Sequence, residues 1–448
     1  MTSNIHTFIY KNGEIQKVQE VKLDSFDNLN IFRPVYNKKS FDNLCDLYRD
    51  FIIPKYINIF GKIILFTLPK DIEIPFSDED EEYGKLYDTL TVCTVAFKRN
   101  ISIKNGVLIF KNKKTENFYK KLERDGYLYL AKGNRNSVSV MPVSRNLGFM
   151  SESQNEALLK VNSSFFVMDK FDCATLYDQV GTGIGLEIKN GIIYNPPMFD
   201  RETLIVDEDD KVSIRKTSMN DVSVLIDDVE YKNDVNCRFI TRPNYRKSIK
   251  GGVDIVVNNN KVTAVKCGGN TPVPAGGYII HLDDKKNVDI KNKEVKYSGF
   301  EDVKFAIQVG NSVINNGFKT DRFISPFYSI AKFWIPSYPP SMYPLKYDKD
   351  RAPRIVLGSD KENKPVLLWF EGAGKFGYMP GKESCGATMK ETADIAEKLG
   401  LVNAVHLDGG GSAQILINDK RELLLSDRDK ETFKEKERAI SFGLYYKE

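Results

Sequence analysis

Short apolar runs separated by tight-turn residues recur after residue 155, and they restrict the fold more than any other feature. Asn190-Gly191 lies between apolar flanks. Asn-Gly is a strong hairpin signal because both residues tolerate positive φ. The segments 204–214 and 253–265 predict two more hairpins, the second turning at Asn258–Asn260. Such a series of strands predicts an antiparallel or mixed sheet.

From residue 354 onwards the pattern alternates strands with one helix. The segments 354–357 and 365–370 predict strands. Thr388-x-x-Glu391 is a capping box that predicts the start of a helix, and Gly400 predicts its end. The segments 402–407 and 413–417 predict strands on either side of a glycine run.

Composition shifts near residues 145–155, and the segment before that boundary carries mixed signals. A stripe of Phe41, Leu44, Cys45 and Tyr48 predicts a helix that ends before Pro54. We therefore expect an α+β fold of mixed, mainly antiparallel sheets with flanking helices and an appended N-terminal α+β domain. The expected domains are residues 1–145, with a role in attachment or targeting, and residues 150–448.

Charge and composition exclude several functional classes. Lys and Arg number 65 against 61 Asp and Glu, and a net charge of +4 argues against a dedicated nucleic-acid-binding protein. No apolar run is long enough for a membrane span, and the N-terminal residues lack the pattern of a secretory signal, so we expect a cytoplasmic location. The six cysteines form no C-x-x-C pair, and the three histidines are far apart, which argues against a zinc site. No organic cofactor is expected.

The sharpest local motif is Asp408-Gly409-Gly410-Gly411-Ser412. Because its glycines stand between two apolar strand segments, they indicate special backbone angles or close approach to a ligand, and not a flexible linker. A carboxylate at a strand end, beside exposed N–H groups, suits acid–base chemistry or contact with an anion.

Other polar residues each allow two interpretations. Arg351 and Arg354 precede a strand and are either surface cations or a phosphate clamp. Asn162, at the end of a strand, either holds a turn or binds sugar hydroxyls. The acidic residues 207–210 make a Ca²⁺ ion conceivable, but they do not match an EF-hand loop, and a solvated hairpin turn is the simpler interpretation.

The chain also carries a series of spaced motifs in a defined order: Asn162-x-x-Phe-Phe166, the hairpin at Asn190-Gly191, Gly310, Arg354-x-x-x-Gly358, Gly386-Ala-Thr-x-x-Glu391 and Asp408-Gly-Gly-Gly-Ser412. In that order the motifs resemble the phosphodiester glycosidase family over roughly residues 150–446. The resemblance implies hydrolysis of a sugar-1-phosphodiester at its glycosidic bond, which releases free sugar and a phosphomonoester.

The implied reaction assigns roles to the candidate residues. A carboxylate must act as nucleophile or base, for which Asp408 is the first candidate and Glu371, at the end of another predicted strand, the second. Cations or N–H donors must stabilise the leaving phosphate, for which Arg354 comes first and Arg351 second. The expected hydrogen-bonding partners of the substrate are Asn162, Thr388, Ser412 and the glycines Gly409, Gly410 and Gly411.

The chain departs from the family pattern at two places. Ser163 and Ser164 stand where the family usually has glycine, and Glu371-Gly372-Ala373 stands where it often has Asp-Gly-Arg. The second departure removes an arginine that would contact the substrate. The alternative hypothesis is a non-catalytic, carbohydrate-binding or structural component of a larger assembly, such as a virion or phage tail, with assembly partners bound through residues 1–145.

Overall fold

The computed structural model describes the chain in several stretches. These are residues 1–34, 148–167, 181–320, 350–373 and 383–448, in which residues 154–155, 243–244, 284–288, 292, 429–431 and 433 are not described. Between residues 57 and 177 the structure also describes the backbone of six short strands and the single residues 113, 116, 117, 175 and 177. The helix predicted from residue 41 lies outside the described residues.

Most strands of the described chain are short. The first eleven are β1 (Thr2–Ile9), β2 (Ile15–Lys22), β3 (Leu29–Phe32), β4 (Ile57–Ile59), β5 (Lys62–Ile64), β6 (Ile101–Lys104), β7 (Val107–Phe110), β8 (Leu128–Ala131), β9 (Ser139–Pro142), β10 (Leu159–Asn162) and β11 (Phe165–Phe166). The next ten are β12 (Gly183–Ile184), β13 (Glu187–Lys189), β14 (Ile192–Asn195), β15 (Arg201–Asp207), β16 (Val212–Thr217), β17 (Ser223–Ile226), β18 (Val229–Tyr231), β19 (Cys237–Thr241), β20 (Lys250–Asn258) and β21 (Lys261–Gly269). The last ten are β22 (Gly277–Leu282), β23 (Lys296–Ser298), β24 (Val303–Ile307), β25 (Ser312–Asn315), β26 (Phe318–Lys319), β27 (Arg354–Ser359), β28 (Pro365–Phe370), β29 (Asn403–His406), β30 (Ile415–Ile417) and β31 (Gly443–Tyr446).

The larger sheets have three to seven strands. Their strand orders are β1-β2-β28-β27-β29-β25-β26, β14-β13-β24-β15-β16, β3-β31-β10-β30, β19-β22-β20-β21 and β18-β17-β23. The strands of the seven-stranded sheet pair antiparallel throughout. Three of these pairs, β1–β2, β25–β26 and β27–β28, are consecutive along the chain, as short connections between antiparallel strands allow.

The fold is therefore mostly β, and the expected α+β class with flanking helices is wrong. The one α-helix that the structure describes in full is α1 (Met389–Lys398), which packs beside β25 and β26. Its predicted capping box is confirmed: Glu391 N–H donates to the Thr388 hydroxyl at 3.2 Å, and Thr388 N–H donates to the Glu391 carboxylate at 2.9 Å.

The hairpin turns predicted from asparagine and glycine are confirmed. Asn190 (φ 49°) and Gly191 (φ 71°) connect β13 to β14, and Asn259 (φ 52°) and Asn260 (φ 59°) connect β20 to β21. These angles lie in the left-handed region, which asparagine and glycine enter at least cost.

Residues 1–34 belong to the same sheets as the C-terminal strands. β2 pairs with β28 in the register Val18↔Phe370, and β3 pairs with β31 in the register Leu29↔Tyr446. The boundary expected at residue 145 therefore does not separate residues 1–34 from the C-terminal sheets. That residues 1–145 form a domain with a role of its own stays a prediction.

The middle of the seven-stranded sheet is fully buried. Val356 of β27, Leu368 of β28 and Val405 of β29 have no exposed surface, and neither has Trp369. Burial of a large apolar side chain contributes about 1.5–3 kcal/mol to folding. The sheet is therefore a rigid support for whatever follows the ends of its inner strands.

Candidate functional site

Asp408 lies just beyond β29, an inner strand held on both sides. The Leu407 N–H donates to the Ile355 carbonyl at 2.9 Å on one side, and the Gly310 N–H donates to the His406 carbonyl at 2.8 Å on the other. The chain leaves the sheet at Asp408, a residue of intermediate exposure. The sheet thus fixes the backbone of Asp408 where the chain leaves the buried strands.

The three glycines after Asp408 form a compact turn. Gly410 has a φ of 59°, in the left-handed region, and Gly410–Ser412 make a single 3-10 turn. A Cβ on Gly411 would lie 2.4 Å from Oδ2 of Asp427 and 2.6 Å from Cζ of Arg438, so these side chains would have to move to admit it. The motif therefore has the special backbone angles that the sequence predicts, and its close neighbours are the paired side chains of Asp427 and Arg438.

The carboxyl group of Asp408 is electrostatically unusual. Burial raises its pKa from 3.8 to about 7, against the opposing effects of a hydrogen bond from Ser412, the charge of Arg438 and the N–H of Gly409. Near neutral pH the ionised and the protonated forms of this carboxyl are therefore both populated. A pKa close to the working pH suits a general base or a general acid.

Asn162 and Ser163 hold the Asp408 backbone from the other side. The Asn162 amide donates to the Asp408 carbonyl at 2.7 Å, and its oxygen accepts from the Gln414 N–H at 2.9 Å. The Asp408 N–H donates to the Ser163 carbonyl at 2.8 Å. Asn162 is buried and uses both ends of its amide on this turn. Of its two interpretations, the structure favours holding a turn.

The two predicted phosphate-binding arginines have protein partners. Arg351 makes a two-point contact with Glu391, at 2.7 and 3.2 Å, and stacks over Tyr10 with Cζ 4.6 Å from the ring centroid. Arg354 is 4% exposed and donates to the carbonyls of Ala387 and Asp350 at 3.0 and 2.9 Å. Arg354 is therefore not a surface cation, and the contacts of both arginines hold backbone and helix segments together.

The other predicted site residues also have partners within the protein. Glu371 is buried, accepts from the Ser384 hydroxyl at 2.5 Å and from the Leu424 N–H at 2.9 Å, and so joins two loops. The hydroxyl of Thr388 caps α1. Ser412 is buried and donates to Asp408 itself. Among the predicted side chains, the structure brings together Asp408, Ser412 and Asn162.

Arg438 is the cation that the sequence did not single out. It contacts Asp427 through Nε and Nη2 at 3.0 and 2.6 Å, lies against Gly411, and its charge acts on Asp408. It is mostly buried. It follows the charged run 434–437, which in sequence resembles any solvated surface.

Glu187 is a second carboxyl with a raised pKa that sequence reasoning missed. It has no exposed surface, and burial raises its pKa from 4.5 to about 7, although the hydroxyls of Ser164 and Ser163 and the charge of Arg33 lower it. In the sequence it stands in a short hairpin strand, where a charged residue is normally assigned to the solvent face. Here all three residues of β13 are buried, so the alternation of polar and apolar residues along the strand could not mark Glu187 as buried.

His406 lies directly beneath the glycine turn. Its ring is buried, with the centroid 6.4 Å from that of Phe165, and a Cβ on Gly409 would lie 3.5 Å from Nε2. Burial, together with the nearby charge of Arg354, holds the pKa of His406 well below its usual 6.5. The imidazole is therefore neutral in the working pH range.

The described residues offer no cluster of three or more His, Cys, Asp or Glu that could hold a metal ion. In the acidic segment 207–210, the Asp207 carboxylate accepts from the N–H groups of Asp209 and Lys211 at 3.1 and 2.9 Å. Asp210 pairs with Lys304 at 2.8 Å. This is a hairpin turn that uses its own carboxylates. In the part of the chain with described coordinates, no helix is long and apolar enough to cross a membrane.

The solved structures that match this chain have low sequence identity. A hypothetical protein from Synechocystis is 13% identical, with a TM-score of 0.41; 98% of this chain is covered, and it spans 61% of that protein. The zebrafish N-acetylglucosamine-1-phosphodiester α-N-acetylglucosaminidase catalytic domain, auto-inhibited by its pro-peptide, is 12% identical, with a TM-score of 0.37 and coverage of 100% and 82%. A protein described as exported, from Burkholderia pseudomallei, is 10% identical, with a TM-score of 0.37 and coverage of 99% and 96%.

No curated protein matches the sequence. A model of the phosphodiester glycosidase family matches residues 235–447, the segment that carries the capping box of α1 and the Asp408 turn. The resemblance of this chain to the phosphodiester glycosidase family is thereby confirmed over residues 235–447.

Proposed function

We propose that the protein hydrolyses a sugar-1-phosphodiester at its glycosidic bond. The observation that carries the proposal is Asp408: a half-buried carboxyl on a fixed turn at the end of a buried strand, with a pKa raised to about 7. The family match over residues 235–447 supports the same class of reaction. No organic cofactor is needed for it.

Asp408 acts as the base toward water in this proposal. Water adds its oxygen to the anomeric carbon, and Asp408 takes the proton. The bond between the anomeric carbon and the phosphate oxygen breaks, and its electron pair stays on that oxygen. The products are the free sugar and a phosphomonoester. A direct attack by water inverts the anomeric configuration, whereas attack by Asp408 itself would retain it.

Positive charge beside Asp408 serves the leaving group. A phosphate leaves well without strong acid assistance, but its developing negative charge must be stabilised. Arg438 is the arginine that lies against the Asp408 turn, and its guanidinium is held in place by Asp427. We assign the phosphate contact to Arg438, while Arg351 and Arg354 support the loops around it.

A substrate screen in ¹⁸O-labelled water tests the proposal. A panel of sugar-1-phosphodiesters is incubated with the protein, and free sugar and phosphomonoester are quantified. Cleavage at the anomeric carbon places the label in the sugar. Label in the phosphate would mean P–O cleavage and would refute the assignment.

Asp408→Asn is the matched control because it keeps the shape of the side chain and removes the base. We expect turnover to fall by at least ~10²-fold. NMR of the first-formed sugar then separates the two roles of Asp408, since inversion indicates a base and retention a nucleophile. Hydrolysis that is equally fast in Asp408→Asn would remove Asp408 from the mechanism.

A further inference from the structure

Glu187 is a buried carboxyl whose hydrogen bonds are made on one side only. One oxygen, Oε1, accepts the hydroxyl of Ser163 at 2.8 Å and also that of Ser164. The other oxygen, Oε2, is buried and has no hydrogen-bond partner among the described residues. A buried polar group of this kind costs folding energy, which suggests that it is retained for another reason.

The two serines connect Glu187 to the candidate catalytic turn. The Ser163 carbonyl accepts the Asp408 N–H at 2.8 Å, and the neighbouring Asn162 amide donates to the Asp408 carbonyl at 2.7 Å. The residues of the 162–164 turn thus hold both backbone groups of Asp408. Glu187 is the side-chain anchor of Ser163 and Ser164 on the opposite side of that turn.

We propose that Glu187 is a positioning residue for Asp408, acting through the hydroxyls of Ser163 and Ser164 that fix the turn on which the Asp408 backbone is held. The consequence for catalysis rests on the proposed function, because it assumes that Asp408 is the base. The positioning itself is independent of any substrate.

The hydrogen bonds that Glu187 accepts can be tested separately from its negative charge. The charged group that acts on it is Arg33, and burial raises its pKa to about 7, so the neutral acid is well populated near neutral pH. Glutamine copies the neutral acid and keeps an acceptor oxygen for both serines. Leucine has a similar size but no acceptor. The pair Glu187→Gln and Glu187→Leu therefore tests the hydrogen bonds and not the charge.

The experiment measures Asp408 without substrate. Asp408→Asn is made in the wild-type, Glu187→Gln, Glu187→Leu and Ser163→Ala/Ser164→Ala backgrounds, and the Tm of each pair is followed from pH 4 to pH 8. For each background, the Tm of the protein with Asp408 is subtracted from the Tm of its Asp408→Asn variant. The change in this difference between pH 4 and pH 8, called the Asp408 step, reports how strongly the fold shifts the titration of Asp408. The double serine variant keeps the test open if Glu187→Leu does not fold.

Thr203→Val is the matched control for loss of a buried hydroxyl. Thr203 is fully buried and lies in the same sheet as Glu187, and its hydroxyl bonds that of Thr217 at 2.5 Å. Its other hydrogen bonds are to the Arg201 carbonyl and the Gln308 amide.

We expect the Asp408 step to persist in Glu187→Gln and Thr203→Val and to shrink at least ~2-fold in Glu187→Leu and in the double serine variant, since interacting sites are non-additive. An unchanged step in the last two, or equal shrinkage in Thr203→Val, overturns the proposal. On a hydrolysed substrate, Glu187→Leu should lower kcat ~10-fold with little change in KM, and Glu187→Gln should restore most of it. If no substrate is hydrolysed, the proposed function fails while the Tm measurements still decide the positioning.

Discussion

Replacing Asp408 with asparagine should change how the stability of the protein depends on pH. The folded state raises the pKa of Asp408 from 3.8 to about 7, which means that the folded protein binds a proton more tightly than the unfolded chain. Stability therefore falls as pH rises from about 4 to about 7 and is level above that range. Asparagine cannot titrate, so the variant lacks this loss.

The magnitude follows from the size of the pKa shift. A pKa raised from 3.8 to about 7 corresponds to about 4 kcal/mol, because each tenfold change in proton affinity is worth roughly 1.4 kcal/mol. Asp408 is only half-buried, and solvent screens part of this energy. As pH rises from 4 to 8, we expect the free energy of unfolding of Asp408→Asn to increase by about 2 kcal/mol relative to that of the wild type. The variant should at the same time lose activity. Such an exchange of stability for function is common at active sites.

The assay is urea unfolding of both proteins at several pH values, read as the difference in free energy of unfolding. Asp302→Asn is the control, because it removes the same charge from an exposed turn. A stability difference that stays constant from pH 4 to pH 8 would show that the environment of Asp408 does not disfavour its charge. The choice of Asp408 as base would then lose its physical reason.

Four further changes probe the framework and the site. Deleting residues 1–34 should give insoluble or molten protein by near-UV circular dichroism, because it uncovers the edge of β28. Gly411→Ala should cost about 1–3 kcal/mol in chemical unfolding, since its methyl group would overlap Arg438; unchanged stability would contradict the close packing. Arg438→Lys should lower kcat for sugar-1-phosphodiesters at least ~10-fold, because a point charge cannot both hold Asp427 and face a phosphate. Arg354→Lys should instead lower stability by about 1–3 kcal/mol, because it loses contacts with two backbone carbonyls, and should leave KM unchanged.

Local structure was predicted well from the sequence because it depends on residues that are neighbours along the chain. The Asn190-Gly191 turn, the capping box at Thr388 and the glycine turn after Asp408 depend on backbone angles and on partners three or four residues away. Each of these features could be read from residue types alone.

Long-range partners could not be read in this way. The sequence showed arginines beside a strand, but not that Arg351 would meet Glu391 and Tyr10 or that Arg354 would be buried under backbone carbonyls. The predicted fold class was wrong because the structure is mostly strand, with one α-helix among the fully described elements, where flanking helices were expected. Nor do the strands of residues 1–34 carry any sign of the distant strands with which they pair. Glu187 was missed because both faces of its strand are buried.

The pairing of β2 with β28 has a consequence for synthesis of the chain on the ribosome. Val18 and its partner Phe370 are separated by about 350 residues, a contact of very long range that forms late. At ~5–20 residues per second, the β1–β2 hairpin waits tens of seconds with the inner edge of β2 unpaired. During that interval the unpaired backbone groups of β2 are open to other chains, and a holding chaperone on the nascent hairpin would raise the yield of folded protein. Pulse-labelled translation with and without such a chaperone would measure this dependence directly.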